Sequence, residues 1–181
     1  AAYVGSVVGV NGNVTTNVWG QTVRNAVAGS GFVISSDGYI LTNYHVIDGV
    51  SDLKVTFQDG TSYDAKLVGG DEENDIAVLK IDAAGLTPVV IGSSDALVVG
   101  DQVYAIGNPL GELTYSMTGG IVSALNRNVT MSDGRRMNYV QTDTAINSGN
   151  SGGALFNQYG QVVGIVSAKL SSSGSGSSAS V

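Results

Sequence analysis

Residues 27–42 read VAGSGFVISSDGYILT, in which two apolar and β-branched runs flank the dipeptide Asp37-Gly38. Glycine reaches positive φ at little steric cost, so Asp-Gly between two such runs predicts a β-hairpin. Comparable turn signals recur at Asp59-Gly60, Asp133-Gly134 and Tyr159-Gly160. Helical periodicity is weak along nearly the whole chain. The regular spacing of short strands and tight turns predicts an all-β barrel or sandwich.

The predicted strands form two sets, with a connection between them over Ala83–Gly100. The first set is Tyr3–Val10, Val27–Ser35, Tyr39–Thr42, Leu53–Phe57, Ser62–Gly69, Ile76–Ile81 and Val89–Ile91. The second set is Gln102–Ile106, Ser116–Ala124, Asn138–Thr142, Ala154–Phe156 and Val162–Ala168. Short helical turns are predicted at Val46–Gly49 and around Ser94–Leu97. Residues 171–181 are almost wholly serine and glycine, which predicts a mobile loop or tail.

The composition excludes several classes of protein. The 181-residue chain has a formal net charge of −7 and scattered basic residues, so binding to nucleic acid is not expected. It has no cysteine, which removes disulfides, thiolate metal sites and cysteine nucleophiles. No stretch approaches the roughly 18 apolar residues of a membrane span. The start at Ala1-Ala2-Tyr3-Val4 shows no signal peptide, so we expect any targeting segment or membrane anchor upstream of Ala1.

The strongest chemical signal is the pentapeptide Gly149-Asn150-Ser151-Gly152-Gly153. A serine held among glycines lies where backbone N–H groups can approach a substrate and stabilise a developing oxyanion. Two other interpretations of the same five residues are a plain glycine-rich turn and the nucleophile elbow of an α/β-hydrolase.

Chain order separates these interpretations. A hydrolase elbow requires a histidine after the serine, whereas the single histidine, His45, precedes Ser151. Histidine, then aspartate, then serine is the chymotrypsin-type order, and Asp75, directly before the apolar run Ile76–Leu79, is the best candidate for the aspartate. On local pattern alone, a strand-entry residue is the better explanation of Asp75. A subtilisin-type order would need Asp37, which lies in a predicted hairpin turn.

Five blocks of the chain resemble conserved blocks of the HtrA (Deg) serine proteases. Three resemble that family's catalytic blocks, and two resemble further blocks: Thr42–Val46, Asn74–Lys80 and Thr142–Gly153, then Ala105–Gly111 and Gly119–Ala124. The resemblance extends from about Ser6 to Lys169 in the family's order. It implies a chymotrypsin-like double six-stranded antiparallel β-barrel with few short helices. Residues 1–92 would form the barrel carrying His45 and Asp75, and residues 93–181 the barrel carrying Ser151.

The resemblance also implies a catalytic triad of His45, Asp75 and Ser151 that needs no metal or cofactor. An oxyanion hole would be formed by Gly149, Asn150 and Ser151. The implied substrate-binding residues precede the nucleophile or lie on the strand that would pair with an extended substrate: Ala145, Ile146, Asn147, Ser148, Val166, Ser167 and Ala168. Because the first of these segments has no carboxylate and contains Ile146, we expect cleavage after small to medium aliphatic residues.

The family context extends to partners and location. It implies unfolded or misfolded polypeptides as substrates, a role in protein quality control, a homotrimer, and an extracytoplasmic site in the periplasm or cell envelope of a bacterium. Two departures stand out: no PDZ domain follows, and relatives continue after the segment matching Lys169–Val181 with one more strand. If the protein ended at Val181, we would expect the second barrel to lack its last strand.

Two functions from other classes remain open on the sequence. One is a silent binding module that grips unfolded segments without cutting them. The other is a fragment whose role is assembly alone.

Overall fold

The computed structural model describes residues 4–108, 116–130, 136–144, 151–167 and 178–180. Their strands are β1 (Val7–Val18), β2 (Gln21–Val33), β3 (Tyr39–Thr42), β4 (Val50–Thr56), β5 (Ser62–Asp71), β6 (Ile76–Ile81), β7 (Val90–Ile91), β8 (Gln102–Gly107), β9 (Ser116–Thr130), β10 (Arg136–Thr142), β11 (Ala154–Asn157), β12 (Gln161–Ser167) and β13 (Ser178–Ser180).

Helical structure in these residues is confined to α1 (Tyr44–Ile47) and 3₁₀ turns at Val4–Ser6 and Ser94–Ala96. The helical turns predicted near residues 46–49 and 94–97 are therefore confirmed, within about two residues of their predicted bounds. None of the helices in the described ranges has the length and apolar character of a membrane span.

The first barrel closes in the strand order β1-β2-β3-β6-β5-β4. Successive residues of a strand point to opposite faces, so buried and less buried positions alternate. In β6 the buried positions are Ala77, Leu79 and Ile81, and they belong to the apolar cluster that fills this barrel. Val46 and Ile47 of α1 pack into the same cluster. The barrel thereby fixes α1 at its rim, where β3 ends.

The second sheet runs in the order β11-β8-β9-β10-β13-β12-β7, and β11 also pairs with β12. That extra pairing joins six of its strands into a ring, to which β7 adds in parallel with β12. Strand β13 lies between β10 and β12 and pairs with both. The expectation of a missing last strand is therefore wrong, because Ser178–Ser180 fills that place. Residues 171–177 and 181, the rest of the predicted mobile tail, lie outside the described residues.

A separate apolar cluster joins the two barrels. It combines Val7 and Phe32 of the first barrel with Ile106, Phe156 and Ile165 of the second. We call this cluster the apolar seam. Burying one such side chain contributes about 1.5–3 kcal/mol, so several side chains of the seam together hold the barrels against each other. Side chains of one barrel that face the other barrel are thereby kept at fixed distances from their partners across the seam. The division of the chain between residues 92 and 93 remains a prediction.

The hairpin of β1 and β2 is much longer than the sequence analysis expected. The prediction ended the first strand at Val10 and began the second at Val27, whereas the two strands pair continuously as far as Val18 and Gln21. The intervening residues are mostly polar and exposed, so they gave no apolar run to detect. The turn itself is Trp19-Gly20, with φ of 55° and 75°. Positive φ at both positions suits a two-residue hairpin turn, but tryptophan is not a residue that signals one.

Leu79 and Leu67 are register partners on β6 and β5, which allows a matched test of the barrel core. Leu79 is fully buried, whereas Leu67 is 48% exposed. We expect Leu79→Ala to lower the free energy of unfolding by about 2–5 kcal/mol, because it removes buried contacts and leaves a cavity. Leu67→Ala should cost less than about 1 kcal/mol. Urea unfolding followed by circular dichroism measures both, and equal losses would contradict the closed core.

Candidate active site

The three residues predicted as a triad lie side by side between the barrels. His45 lies in α1, Asp75 precedes β6 and Ser151 precedes β11. His45 Nδ1 is 2.7 Å from Asp75 Oδ2, and His45 Nε2 is 2.9 Å from Ser151 Oγ. Because a carboxylate only accepts, the imidazole proton belongs on Nδ1, which leaves Nε2 free to accept from the serine hydroxyl. The arrangement provides a base in contact with a nucleophile and an orienting carboxylate behind it.

Asp75 is fixed by donors from both barrels. Its side chain is 3% exposed, and Oδ1 accepts from His45 N at 2.8 Å. Oδ2 accepts from Ser167 Oγ at 3.1 Å in addition to His45 Nδ1. The backbone of Asp75 has a φ of 58°, a left-handed conformation that aspartate tolerates better than most residues. This carboxylate therefore orients the imidazole and caps α1 at the same time.

The turn before Asp75 is closed by a second aspartate. Asp71 Oδ2 accepts from Asn74 Nδ2 at 2.6 Å, and Oδ1 accepts from Asn74 N at 3.1 Å. These two hydrogen bonds, the side-chain one first, hold the pKa of the Asp71 carboxyl below its ordinary value. Asp71 is exposed, as are Glu72 and Glu73 beside it. Asp75 is the carboxylate of this segment that turns inward.

The turn that carries Ser151 is hydrogen-bonded to both barrels. Ser30 N of β2 donates to Ser151 O at 2.8 Å, and Gly152 N donates to Val166 O at 2.7 Å. Gly152 has a φ of +85°, and a Cβ at this position would press against Ser30 O and Thr42 Oγ1. Only glycine fits there, for both conformation and space.

Sequence analysis missed a buried polar group beneath this turn. Thr42 Oγ1 donates to Ser30 O at 2.7 Å, and Asn108 N donates to Ser30 Oγ at 2.8 Å. Asn43 Nδ2 donates to Ser151 Oγ at 3.1 Å and to Val166 O at 2.7 Å. The available signal was a pair of polar residues, Thr42 and Asn43, at the end of an apolar strand.

Two predicted substrate-binding residues have other contacts. Val166 is fully buried, its N–H donates to Gly153 O, and its carbonyl accepts from Gly152 N. Substrate binding by Val166 stays a prediction; its backbone N–H and carbonyl are bonded to the turn that carries Ser151. Ser167 is 5% exposed and its hydroxyl binds Asp75, so its side chain serves the triad.

The remaining predicted site residues lie outside the described part of the chain. They are the oxyanion-hole residues Gly149 and Asn150 and the substrate-binding residues Ala145, Ile146, Asn147, Ser148 and Ala168.

Comparison with known proteins assigns the family. A family model described as Trypsin-like peptidase domain matches residues 29–165, which include all three triad positions. The chain belongs to the trypsin-like peptidases. The expected fold class of this peptidase is thereby confirmed.

Curated relatives of this trypsin-like peptidase include proteins named as DegP-like and Do-like proteases. It is 48% identical over 155 residues to "Probable periplasmic serine endoprotease DegP-like" of Halomonas elongata, covering 86% of this chain and 32% of the relative. It is 49% identical over 154 residues to "Protease Do-like 1, chloroplastic" of Arabidopsis thaliana, covering 83% of this chain and 35% of the relative. The chain thus spans about a third of the length of these curated relatives.

Solved structures give the same result. The structure described as "HtrA-type protease AlgW with decapeptide" has a TM-score of 0.82 and 34% identity, and the match covers 99% of this chain and 63% of that one. A structure of an AlgW variant with decapeptide has a TM-score of 0.88 and the same identity, covering 98% and 60%. The resemblance to HtrA proteases that the sequence suggested is confirmed.

Gly152 and Gly60 share a φ of +85° but differ in their surroundings, which makes them a matched pair. Nothing lies within 4 Å of a Cβ on Gly60, whereas on Gly152 it meets Ser30 O. Gly60→Ala should cost about 1–2 kcal/mol of unfolding free energy from conformation alone. Gly152→Ala should cost clearly more and displace the serine turn. Thermal unfolding followed by circular dichroism gives the comparison. Equal losses of unfolding free energy would show that the Ser151 turn can accommodate a Cβ at Gly152.

Proposed function

We propose that this trypsin-like peptidase domain is a serine endopeptidase that uses His45, Asp75 and Ser151 as its catalytic triad. The observation that supports this most directly is the imidazole of His45, 2.9 Å from a serine hydroxyl and 2.7 Å from a buried carboxylate. Both distances lie within the hydrogen-bonding range that proton transfer requires. His45 and Asp75 belong to the first barrel and Ser151 to the second, and the apolar seam between the barrels holds them together.

In the proposed reaction Ser151 Oγ attacks the carbonyl carbon of a peptide bond. His45 Nε2 takes the hydroxyl proton and later delivers it to the leaving amine as the C–N bond breaks. Water then attacks the acyl-enzyme, giving its proton to the same nitrogen, and the Oγ–C bond breaks to restore the serine. Asp75 keeps the imidazole oriented and stabilises its transient positive charge. No step requires a metal or cofactor.

We place the oxyanion hole on the backbone N–H groups of Gly149, Asn150 and Ser151. The glycines around the nucleophile support this, because they let the backbone approach the substrate closely. A single donor of this kind is worth about 3–4 kcal/mol of transition-state stabilisation in other hydrolases.

Unfolded or misfolded polypeptides are the proposed substrates, with cleavage after small to medium aliphatic residues. The segment Ala145–Ser148 supplies no carboxylate to a basic side chain, and Ile146 narrows the space next to it. A lysine or arginine would lose its water there without gaining a counter-ion. The AlgW structures are described as carrying a decapeptide, which is consistent with a peptide-binding role for this chain.

Location and assembly belong to the same proposal. Relatives in Halomonas elongata and Haemophilus influenzae are named as periplasmic proteases, which supports an extracytoplasmic location. A homotrimer, a role in protein quality control and a membrane anchor upstream of Ala1 follow from the family resemblance alone. The net charge of −7 gives no reason to expect a nucleic-acid partner.

Replacement of the nucleophile tests the reaction. Ser151→Ala should abolish casein cleavage and covalent labelling by a fluorophosphonate, because both need Ser151 Oγ. Ser36→Ala, in an exposed turn, is the matched control and should keep both activities. Mass spectrometry of the labelled wild-type protein should locate the adduct on Ser151. A wild-type protein that binds unfolded peptide but neither cleaves nor labels would favour the silent binding module instead.

A panel of peptides that differ only in the residue before the cleaved bond tests the preference. We expect kcat/KM for valine, alanine or leucine to exceed that for lysine on the order of a hundredfold, since a basic side chain would be buried without a counter-ion. Chromatography of the cleaved peptides gives the rates. Preferred cleavage after lysine or arginine would refute the assignment of the pocket while leaving the triad in place.

A further inference from the structure

Asn43 is a fully buried side chain that touches the nucleophile but lies outside the triad. Its Nδ2 is 3.1 Å from Ser151 Oγ and 2.7 Å from Val166 O. A primary amide nitrogen carries two hydrogens, so one N–H can serve each acceptor.

The orientation of this amide is determined by its surroundings. Val166 O is a carbonyl oxygen and can only accept a hydrogen bond. Rotating the amide by 180° would place Asn43 Oδ1 against that oxygen and remove the bond. Nδ2 therefore faces Val166, and its second N–H points to Ser151 Oγ.

Helix capping does not explain Asn43. It occupies the N-cap position of α1, where an asparagine side chain commonly accepts from a helix N–H, yet it makes no such bond. Asp75 Oδ1 binds His45 N instead. Asn43 Oδ1 is buried and has no hydrogen-bond partner among the residues that the structure describes, which is unfavourable for stability. A buried group kept at such a cost calls for an explanation, and its contact with a reactive oxygen supplies one.

We propose that Asn43 is a further catalytic residue, whose N–H stabilises negative charge on Ser151 Oγ whenever the Oγ–C bond forms or breaks. The proposal rests on the proposed peptidase function. During attack, the hydroxyl proton moves to His45 Nε2 while an electron pair of Oγ forms the bond to carbon. During deacylation that bond breaks, the electron pair returns to Oγ, and His45 Nε2 returns the proton.

The hydrogen bond from Asn43 stabilises the transition state more than the ground state. In the resting enzyme it donates to a neutral hydroxyl, whereas in the transition state the same oxygen carries partial charge. A hydrogen bond to a charged acceptor is about twice as strong as one between neutral groups. Only the additional strength of this hydrogen bond in the transition state accelerates the reaction. The triad supplies the proton transfer, and Asn43 supplies a fixed donor on the oxygen itself.

The test compares wild type, Asn43→Ala and a matched control, Asn157→Ala. Asn157 also makes side-chain hydrogen bonds, but it lies at the end of β11 away from the nucleophile. Concentrations are corrected for the folded fraction by circular dichroism. We expect Asn43→Ala to lower both kcat for a peptide anilide and the rate constant of fluorophosphonate labelling by about ten- to a hundredfold. Its affinity for a noncovalent peptide should change by less than about twofold. Asn157→Ala should lower the melting temperature alone.

A second variant, Asn43→Ser, keeps the test decisive if Asn43→Ala does not fold. Serine is equally favourable at a helix N-cap, and its hydroxyl is one bond closer to the backbone than Nδ2, so it should restore stability but not rate. Wild-type labelling rates in both folded variants, or a parallel loss of peptide affinity, would overturn the proposal. If the wild-type protein is not labelled at Ser151, the proposed peptidase function itself fails. Labelling of wild type and both variants at one rate refutes only the role of Asn43.

Discussion

A backbone hydrogen bond from Ser30 N to Ser151 O, 2.8 Å long, fixes the turn that carries Ser151 against the first barrel. It joins strand β2 of the first barrel to the nucleophile turn of the second. Gly152 makes the approach possible, because any side chain there would collide with Ser30 O. His45 and Asp75 are attached to the first barrel and Ser151 to the second. Chemistry at this site is therefore a property of the interface and belongs to neither barrel alone.

Asp75 shows how local strain is offset by tertiary contacts. A left-handed conformation at a residue other than glycine costs about 1–3 kcal/mol, and burial of its carboxylate adds to that cost. Hydrogen bonds from His45 and Ser167 provide the compensation, and they come from opposite sides of the interface. Separation of the barrels would remove the Ser167 bond and weaken the support of the imidazole.

The sequence was sufficient for the architecture because its signals are local. Asp37-Gly38 and Asp59-Gly60 mark turns, and β-branched runs such as Ile76–Ile81 mark buried strands. Strand β13 was missed because Ser178–Ser180 has no apolar pattern and is held only by its neighbours β10 and β12. The long hairpin was missed because Trp19 occupies a position where asparagine or glycine is usual.

The same distinction between local sequence signals and tertiary contacts applies to the site. The contacts among His45, Asp75 and Ser151 could be anticipated, because chain order and the surrounding blocks single out these three residues. The hydrogen bonds of Val166 with the serine turn were not anticipated, because the partners of a backbone group are decided by three-dimensional pairing, which no local pattern records. Asn43 was overlooked as a site residue, since an asparagine before a helix usually has the simpler explanation of an N-cap.

The position of Trp19 has a practical consequence for spectroscopy. It is the only tryptophan of the chain, and at the tip of the β1–β2 hairpin it is 98% exposed. Its indole is already surrounded by water in the native state, so its emission will shift little when the barrels come apart. Intrinsic fluorescence excited at the indole band will therefore follow what happens at the hairpin tip, including any surface that comes to cover it.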